Sequence, residues 1–388
     1  MDNMGTLLFY LLTFLIVSSL TSLAYRYKSA KSRYFLLFLS ILFLSVVAGI
    51  RYEVGTDWLQ YYEGPQRVLI DGIRGTKGDY EIGYVILARI IGFLGLSGTS
   101  FLFIYAFLTN LFFFMIINKY ASKINVFATT FMYCTIYYLV SFNITRQYLS
   151  ICIAMYAIAN MNLSNRNYGN FIANWIIVLK ENKKYLFYIF ISTLFHKASI
   201  FCILALPLCY LMIRKKHMKL IVLLIVAYVV QNFKMLMNIA IKIMGSRDFQ
   251  WYFLANIGGD GSLLIYILKY LPFLIIIWLS KAKLDLDDEM KKIENITLIG
   301  LVINSISLVI ATDIERVCFP FLYFIIILTG FGMNQSNSGT LVLNRKLRLS
   351  LSSQKILNLC LYLFMIWTMW YIFFVQGIHE VVPYNTIF

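Results

Sequence analysis

Two apolar runs near the start of the chain decide the fold class: MGTLLFYLLTFLIVSSLTSLAY (residues 4–25) and YFLLFLSILFLSVVAGI (residues 34–50), separated by the basic segment RYKSAKSR (residues 26–33). About 20 apolar residues suffice for a helix to cross the hydrocarbon core of a bilayer. Residues 1–6 contain Asp2 and no Lys or Arg, whereas a signal peptide opens with positive charge. We therefore predict that residues 4–25 form the first transmembrane helix.

The composition extends this prediction to the whole chain. Hydrophobic residues make up 60% of the 388 residues and charged residues 13%, whereas a soluble domain carries about 25% charged residues. Apolar runs recur at residues 4–25, 34–50, 82–96, 101–118, 126–141, 148–161, 185–213, 220–243, 263–280, 296–312, 317–333 and 356–376. We predict an all-α, polytopic integral membrane protein with about 12 transmembrane helices in one domain, residues 1–388.

The basic residues predict the orientation. The net charge of +16 does not indicate nucleic-acid binding, because the basic residues lie in short clusters between apolar runs. By the positive-inside rule such clusters mark cytoplasmic loops. Six predicted cytoplasmic loops hold 22 of the 34 Lys and Arg: residues 26–33, 119–124, 162–184, 214–219, 281–295 and 334–355. Residues 51–81 then form an outer loop, and both termini lie outside.

Two apolar runs must be irregular for these loops to share one side. Ile82–Leu96 is short and carries Arg89, and a charge at the bilayer centre costs roughly 2.5–3.5 kcal/mol. We predict an interfacial or re-entrant segment there; a true span would invert everything after it. Tyr185–Ile213 must cross an even number of times, which predicts a broken hairpin with its apex near His196–Ser199. Irregular backbone at membrane depth lines a cavity or is buried in protein.

The cysteines and histidines do not indicate a metal site. The six cysteines, at positions 134, 152, 202, 209, 318 and 360, lie in apolar runs without C-x-x-C spacing, so we predict that all six are buried. His196 is the only one of three histidines within an apolar run, and no histidine cluster suggests metal ligands. The chain also lacks the G-x-x-x-x-G-K-[ST] loop of ATP-binding proteins. We expect no cofactor.

Ionisable residues near the outer ends of helices are the candidates for function. They are Arg51, Asp57, Glu81, Arg146, His196, Asp313, Glu315 and Arg316. Arg146, in the polar break Ser141–Gln147, is the strongest, because a guanidinium binds phosphate with paired hydrogen bonds and keeps its charge. The alternative is a helix-end arginine that extends to the interface.

The other candidates also have structural alternatives. Asp57 or His196 could accept a proton from a substrate hydroxyl. Arg51 and Asp57 could equally belong to a plain helix cap and turn, and a lone histidine is often structural. Asp313, Glu315 and Arg316 could form an ion pair that ties two helix ends.

Four motifs carry a resemblance to a known family. They are Arg51-x-x-x-Gly55-Thr56-Asp57-x-x-x-Tyr61, Glu81-x-Gly83-Tyr84, Arg146-Gln147 and Phe195-His196-Lys197-Ala198-Ser199. In order and spacing they resemble the EpsG family, which is grouped with Wzy-type polymerases of O-antigen, capsule and exopolysaccharide. The similar stretch runs from about Ala48 to Pro207. Ser150 departs from the pattern, because we expect a small apolar residue there.

The resemblance implies a glycosyltransferase of the bacterial cytoplasmic (inner) membrane. It would polymerise polyprenyl-pyrophosphate-linked oligosaccharide repeat units into a surface polysaccharide on the outer face, beside a flippase and a chain-length regulator of the same pathway. Arg146, with Arg51 or Arg316, would stabilise the departing pyrophosphate, and Asp57 or His196 would be the base. Tyr61, Glu81 and Gln147 would join the arginines in binding substrate.

Two other function classes stay open from the sequence. A flippase or other transporter of the same lipid-linked sugar would favour charges deep in both leaflets and internal repeats. The charges here cluster on the predicted outer side, and no repeat is evident. An envelope glycan ligase or acyltransferase would share an outward-facing site and differ in its acceptor.

Overall fold

The computed structural model describes residues 2–75, 80–163, 177–214, 216–232, 270–277, 286–310, 312–336, 341–343, 347–349 and 351–387. Its helices are α1 (Asn3–Ala24), α2 (Ala30–Gly49), α3 (Trp58–Gly75), α4 (Ile82–Phe93), α5 (Gly98–Tyr120), α6 (Val126–Met132), α7 (Thr145–Ala159), α8 (Lys183–Phe195), α9 (Ala205–Arg214), α10 (Lys216–Gln231), α11 (Asp288–Ile310), α12 (Thr312–Leu322), α13 (Ile325–Ser336) and α14 (Leu351–Trp370). The strands β1 (Leu341–Leu343) and β2 (Leu347–Leu349) pair antiparallel. The all-α prediction did not include this small ladder.

Five helical segments are long and apolar enough to cross a membrane: Asn3–Ala24, Ala30–Gly49, Gly98–Tyr120, Arg316–Asn334 and Lys355–Val375. Shorter apolar helices occur at Ile82–Phe93, Val126–Phe142, Lys197–Ile213 and Met218–Val229. The chain is therefore a helical membrane protein. The count of about 12 crossings stays a prediction, because the predicted spans at 220–243 and 263–280 lie partly outside the described residues.

Helix α4 is too short to cross a bilayer. Its 12 residues extend about 18 Å at 1.5 Å per residue, whereas the hydrocarbon core is about 30 Å thick. Arg89 on this helix is exposed. The length agrees with the prediction of an interfacial or re-entrant segment.

The segment around His196 has the predicted broken geometry. Helix α8 ends at Phe195, and His196 adopts an extended conformation with φ −158° and ψ 119°. A 3-10 helix, Lys197–Leu204, follows at once. The hydroxyl of Tyr185 donates a hydrogen bond to the carbonyl of Cys202, so the chain folds back along α8. The break at the predicted apex is therefore present, whereas the number of times this segment crosses the membrane stays a prediction.

The polar break at 141–147 also interrupts the helices as predicted. After α6 the chain continues as a π-helix, Tyr133–Tyr138, and a 3-10 turn, Leu139–Phe142. Helix α7 then starts at Thr145, with no side chain capping its first turn. Arg146 therefore lies in the first turn of α7.

Contacts among described residues in or next to the six basic loops lie at one end of the helices. The contacts are Tyr25 Oη to Asn118 Oδ1 (3.0 Å), Lys123 Nζ to Asp287 Oδ2 (2.5 Å), Lys123 O to Asn334 Nδ2 (3.1 Å), Lys219 Nζ to Glu294 Oε1 (3.2 Å) and Lys292 Nζ to Met161 O (3.0 Å). The candidate residues lie at the opposite ends of α2, α7 and α8. The side of the membrane that each end faces stays a prediction.

The C-terminal segment was not anticipated from the sequence. The 3-10 turn Ile378–Glu380 begins an irregular stretch that packs against the C-terminal end of α2. Tyr52 N donates to Asn385 O (3.0 Å) and Ile387 N to Ile50 O (3.1 Å), and Arg51 forms an isolated β-bridge with Thr386. The end of the chain thus holds the loop that carries Asp57.

The prediction that all six cysteines are buried is wrong for one of them. Cys134, Cys152, Cys202, Cys209 and Cys318 are buried, whereas Cys360 is exposed. Cys360 lies on α14, and only 28% of the residues of its apolar window are buried within the protein. In a membrane helix such an exposed apolar side chain faces acyl chains rather than water.

The predicted topology can be tested with single cysteines at exposed positions. Glu53→Cys and Lys197→Cys should react with a membrane-impermeant maleimide applied from outside the cell. Lys28→Cys, in the first basic loop, should react only after the membrane is opened. All three positions are exposed, and Cys360 should first be replaced by Ser. Labelling of position 53 or 197 only after opening would contradict the predicted orientation.

Candidate functional site

The carboxylate of Glu81 joins two other predicted site residues. Its Oε2 lies 2.6 Å from Arg146 Nη1, and its Oε1 lies 3.1 Å from His196 Nδ1. The amide of Lys197 also approaches Oε1, at 3.4 Å. The three side chains are 10% (Glu81), 20% (Arg146) and 22% (His196) exposed. Residues far apart in the sequence therefore meet in one partly buried cluster.

Helix breaks place these groups. Glu81 is the N-cap residue of α4, but its side chain makes no capping bond and is free to turn toward Arg146 and His196. A Cβ on Gly83 would lie 2.7 Å from the carbonyl oxygen of Leu194, so the missing side chain lets α4 approach the end of α8. This approach brings Glu81 within reach of His196.

The charges of the cluster favour ionised Glu81. Burial would raise the pKa of Glu81, but the hydrogen bond from His196 and the charge of Arg146 outweigh burial and lower it below its ordinary value. In a neutral imidazole whose Nδ1 donates to this carboxylate, Nε2 has no proton and can accept one. Glu81 can thus fix the tautomer of His196.

Aromatic rings surround the guanidinium of Arg146. Its Cζ lies 5.0 Å from the ring centroid of Tyr80 and 5.4 Å from that of Tyr84. Tyr61 Oη lies 3.4 Å from the backbone nitrogen of Arg146. The Nε atom is buried and has no hydrogen-bond partner among the described residues. A buried donor of this kind suits an anionic oxygen.

Asp57, Gln147 and Arg316 adjoin this cluster. Burial raises the pKa of the half-buried Asp57 carboxyl, and the charges of Arg316 and Arg146 partly oppose that rise. Gln147 Nε2 donates to the backbone carbonyl of Arg316 at 3.4 Å. Asp57 therefore lies within electrostatic range of both arginines, and Gln147, the residue after Arg146, contacts the backbone of Arg316. The side chains of Asp313 and Glu315 lie outside the described residues.

Arg51 is the exception among the predicted site residues. Its side chain is buried, and Nη1 and Nη2 donate to the carbonyls of Ala48 (3.0 Å) and Phe142 (2.8 Å). The guanidinium also lies 4.5 Å from the ring centroid of Phe142. Burial lowers the pKa of Arg51 to about 10, so it remains a cation at neutral pH. These contacts join the end of α2 to the turn before α7.

The loop with Asp57 depends on Gly55. Gly55 has φ +99°, and a Cβ there would lie 2.5 Å from Asn143 Oδ1. Its amide donates to Glu380 O (2.9 Å), while Asn143 Nδ2 donates to His379 O (2.9 Å). Asn143 therefore lies between the Asp57 loop and the C-terminal segment.

Sequence reasoning missed two groups of residues here. Asn143 and Tyr80 were not predicted as part of the site. Tyr84 was named as part of the motif Glu81-x-Gly83-Tyr84 but was not predicted to lie in the site. The sequence contains no signal for Tyr80, whereas Tyr84 could have been found from Glu81-x-Gly83-Tyr84. Among the described residues, no three His, Cys, Asp or Glu side chains are grouped so as to hold a metal ion.

Comparison with known families decides the identity. The family model described as the EpsG family matches residues 34–386, nearly the whole chain. The chain belongs to the EpsG family. This family is Wzy-type polymerase-like, and the match extends well beyond the stretch from Ala48 to Pro207 that the motifs indicated. No curated protein and no solved structure matches the chain.

We expect Glu81→Gln to destabilise this EpsG-family chain by about 1–3 kcal/mol at pH 7, because Arg146 would lose its partly buried counterion. Glu63→Gln is the matched control, since Glu63 pairs with Arg67 at the surface, and such pairs contribute at most about 1 kcal/mol. Unfolding in detergent measures both.

The pH dependence of that loss gives a second check. Because the folded-state pKa of Glu81 lies below its ordinary value of 4.5, the ionised carboxylate stabilises the fold at neutral pH. This contribution is lost as the pH falls through the folded pKa. The difference between wild type and Glu81→Gln should therefore shrink below pH 4.5; a constant difference would argue against the ion pair.

Gly55→Ala should destabilise the chain by at least about 2 kcal/mol, because it combines a strained φ with the contact to Asn143. Gly95→Ala separates the two effects: Gly95 has φ +66° and nothing within 4 Å of a Cβ. It should cost only the left-handed strain, about 1 kcal/mol. Equal losses in thermal unfolding would show that Asn143 does not restrict the loop.

Proposed function

We propose that this EpsG-family protein is a glycosyltransferase that polymerises polyprenyl-pyrophosphate-linked oligosaccharide repeat units at the outer face of a bacterial cytoplasmic membrane. The observation that carries the proposal is Glu81, which contacts a cation at one carboxylate oxygen and an imidazole at the other. Such a site can receive a departing phosphate and a proton side by side.

The leaving group requires positive charge. In the transfer, the bond between the anomeric carbon and the pyrophosphate oxygen breaks, and the oxygen keeps the electron pair. Arg146 would face the charge that develops on this oxygen, and the neighbouring Arg316 would add a second cation. Fixed cations in a site of low dielectric stabilise such charge effectively. Tyr61 and Gln147 beside Arg146 would hold the diphosphate or the first sugar.

The acceptor requires a base. A hydroxyl of the next lipid-linked unit forms the new glycosidic bond and loses its proton. His196 suits this step, because Glu81 binds Nδ1 and leaves Nε2 to accept the proton. Asp57 is the second candidate for the base, since its raised pKa favours proton uptake. The donor is already activated by its pyrophosphate, so neither nucleotide nor metal is needed in this scheme.

Arg51 takes a supporting part in this proposal. Its guanidinium is engaged by two protein carbonyls, and its backbone carbonyl accepts a hydrogen bond from Trp58 Nε1 at 2.9 Å. It would hold the Asp57 loop against the turn before α7, while Arg146 and Arg316 contact the substrate.

The test is polymerisation by purified protein supplied with lipid-linked repeat units. Arg146→Ala should lower kcat/KM by about 10²–10³-fold, equivalent to about 2.7–4 kcal/mol of lost transition-state stabilisation. Arg146→Lys should lie between, because lysine keeps the charge but loses the planar fork. Arg67→Ala, which removes a surface arginine of α3, should polymerise like the wild type.

Three results would count against the proposal. An unchanged ladder of longer glycans with Arg146→Ala would remove Arg146 from the reaction. Movement of the lipid-linked unit across vesicle membranes without chain extension would indicate a transporter. Transfer to an added envelope glycan, with no extension of the repeat unit, would indicate a ligase.

A further inference from the structure

Three buried serine hydroxyls meet where α7 packs against α8. Ser150 Oγ lies 2.6 Å from Ser199 Oγ, 2.9 Å from Ser192 Oγ and 2.7 Å from the carbonyl oxygen of Ser192. Ser192 Oγ in turn lies 2.8 Å from the carbonyl oxygen of Ser150. Ser150 and Ser192 are fully buried and Ser199 is 4% exposed. The three hydroxyls therefore depend on one another rather than on water.

The three hydroxyl protons can satisfy three of these four contacts, and one such arrangement uses the two bonds between serine hydroxyls and backbone carbonyls. Each hydroxyl has a single proton. Ser150 donates to the carbonyl of Ser192, and Ser192 donates to the carbonyl of Ser150, so the two helices exchange a reciprocal pair of hydrogen bonds. The proton between Ser199 and Ser150 must then come from Ser199. Loss of the Ser150 hydroxyl would leave Ser199 without its acceptor in a buried position, which is unfavourable.

The cluster surrounds the apex that carries His196. The amide of His196 donates to the carbonyl of Ser192 (3.1 Å), and the amide of Ser199 donates to the carbonyl of His196 (3.1 Å). Ser192 and Ser199 therefore hold the backbone on both sides of His196. Both are bound to Ser150.

The same cluster is tied to Arg146. Ser150 lies four residues after Arg146, one turn further along α7. A closed circuit results: Arg146 is joined through α7 to Ser150, through the serines to His196, and through Glu81 back to Arg146. A serine at 150, where the resemblance to the EpsG family predicts a small apolar residue, completes this circuit.

We propose that Ser150 is a positioning residue that sets the separation of Arg146 and His196, so that Glu81 can contact both. The inference rests on the proposed function. Ser150 does not touch the substrate; it acts through the carbonyl of Ser192 and the hydroxyl of Ser199. Its loss should let the His196 apex shift along α7 while the cationic side of the site remains.

Ser150→Ala should therefore lower kcat by about 10- to 100-fold, because displacements near 1 Å in a reactive site have costs of that order. KM for the lipid-linked unit should change less than threefold, since Arg146 and Arg316 are retained. Ser18→Ala is the matched control: Ser18 is fully buried in α1, and its hydroxyl has no partner among the described residues. It should leave both parameters unchanged.

The pH profile separates positioning from a general loss of folded protein. Glu81 contacts Arg146 on α7 and His196 after α8. Tyr105 on α5 lies within electrostatic range of Glu81. If His196 moves away, the pKa of Glu81 rises, and the carboxylate is protonated at higher pH. Glu81→Gln should then cease to lower the stability of the fold at a higher pH in a Ser150→Ala background than in a Ser18→Ala background, as unfolding in detergent measures.

A second variant guards against misfolding. Ser199→Ala removes one donor and keeps the reciprocal pair of Ser150 and Ser192, so it should fold and lower kcat less than Ser150→Ala. Combined with Ser150→Ala it should add little, because its acceptor is already gone. Full additivity of the two kcat effects would overturn the proposed circuit.

A measurement without catalysis separates this inference from the proposed function. Nitroxide labels at Lys31 and Lys197, both exposed, report the position of the apex relative to α2. The distance distribution should shift or broaden with Ser150→Ala and match the wild type with Ser18→Ala. If the distribution changes but the wild type never extends glycans, the positioning role stands and the polymerase proposal fails. An unchanged distribution with unchanged kcat would overturn the role of Ser150.

Discussion

The contact of one carboxylate with a guanidinium and an imidazole organises the end of the helices opposite the basic loops. Glu81 would be costly to place in a partly buried region if it were unpaired. Arg146 and His196 remove that cost by sharing its two oxygens. The same arrangement requires the start of α4, the start of α7 and the end of α8 to meet at one point. The cluster therefore requires the breaks in those helices, because the three side chains would be further apart on continuous helices.

The cations at the two ends of α7 have different surroundings. At the end with the basic loops, Lys292 is buried and donates to Ala159 O (2.9 Å) and Met161 O (3.0 Å). Ala159 is the last residue of α7 and Met161 lies two residues beyond it. A cation is favourable at this C-terminal end of the helix. At the other end of α7, Arg146 lies in the first turn, where the helix dipole favours an anion. One helix therefore presents positive charge and its positive dipole end to the same site, which suits a ligand with phosphate groups.

Much of this arrangement was predictable from the sequence, because hydrophobic runs and charge positions act locally. The break at 141–147 and the hairpin apex at His196 followed from polar residues between apolar runs. The grouping of Glu81, Arg146 and His196 at one end of the helices followed from placing every helix break on one side. Tyr61 and Gln147 were indicated only by the resemblance to the family. The side-chain contacts of individual residues depend on packing between helices and could not be predicted. The sequence around Arg51 does not show that two carbonyls bind its guanidinium. The sequence around Cys360 does not show that this side chain is exposed.

The C-terminal segment shows why a local pattern was insufficient. The motifs that suggested the family end near Pro207, yet the family match continues to residue 386. The loop that carries Asp57 is bound by hydrogen bonds to the C-terminal segment. Gly55 donates to Glu380, Tyr52 to Asn385, and Tyr384 Oη to the carbonyl of Val47 at 2.7 Å. Backbone groups of a loop at a membrane face need such partners, because an unpaired buried amide is unfavourable. Residues 380–385 supply them, so the candidate site depends on both halves of the sequence.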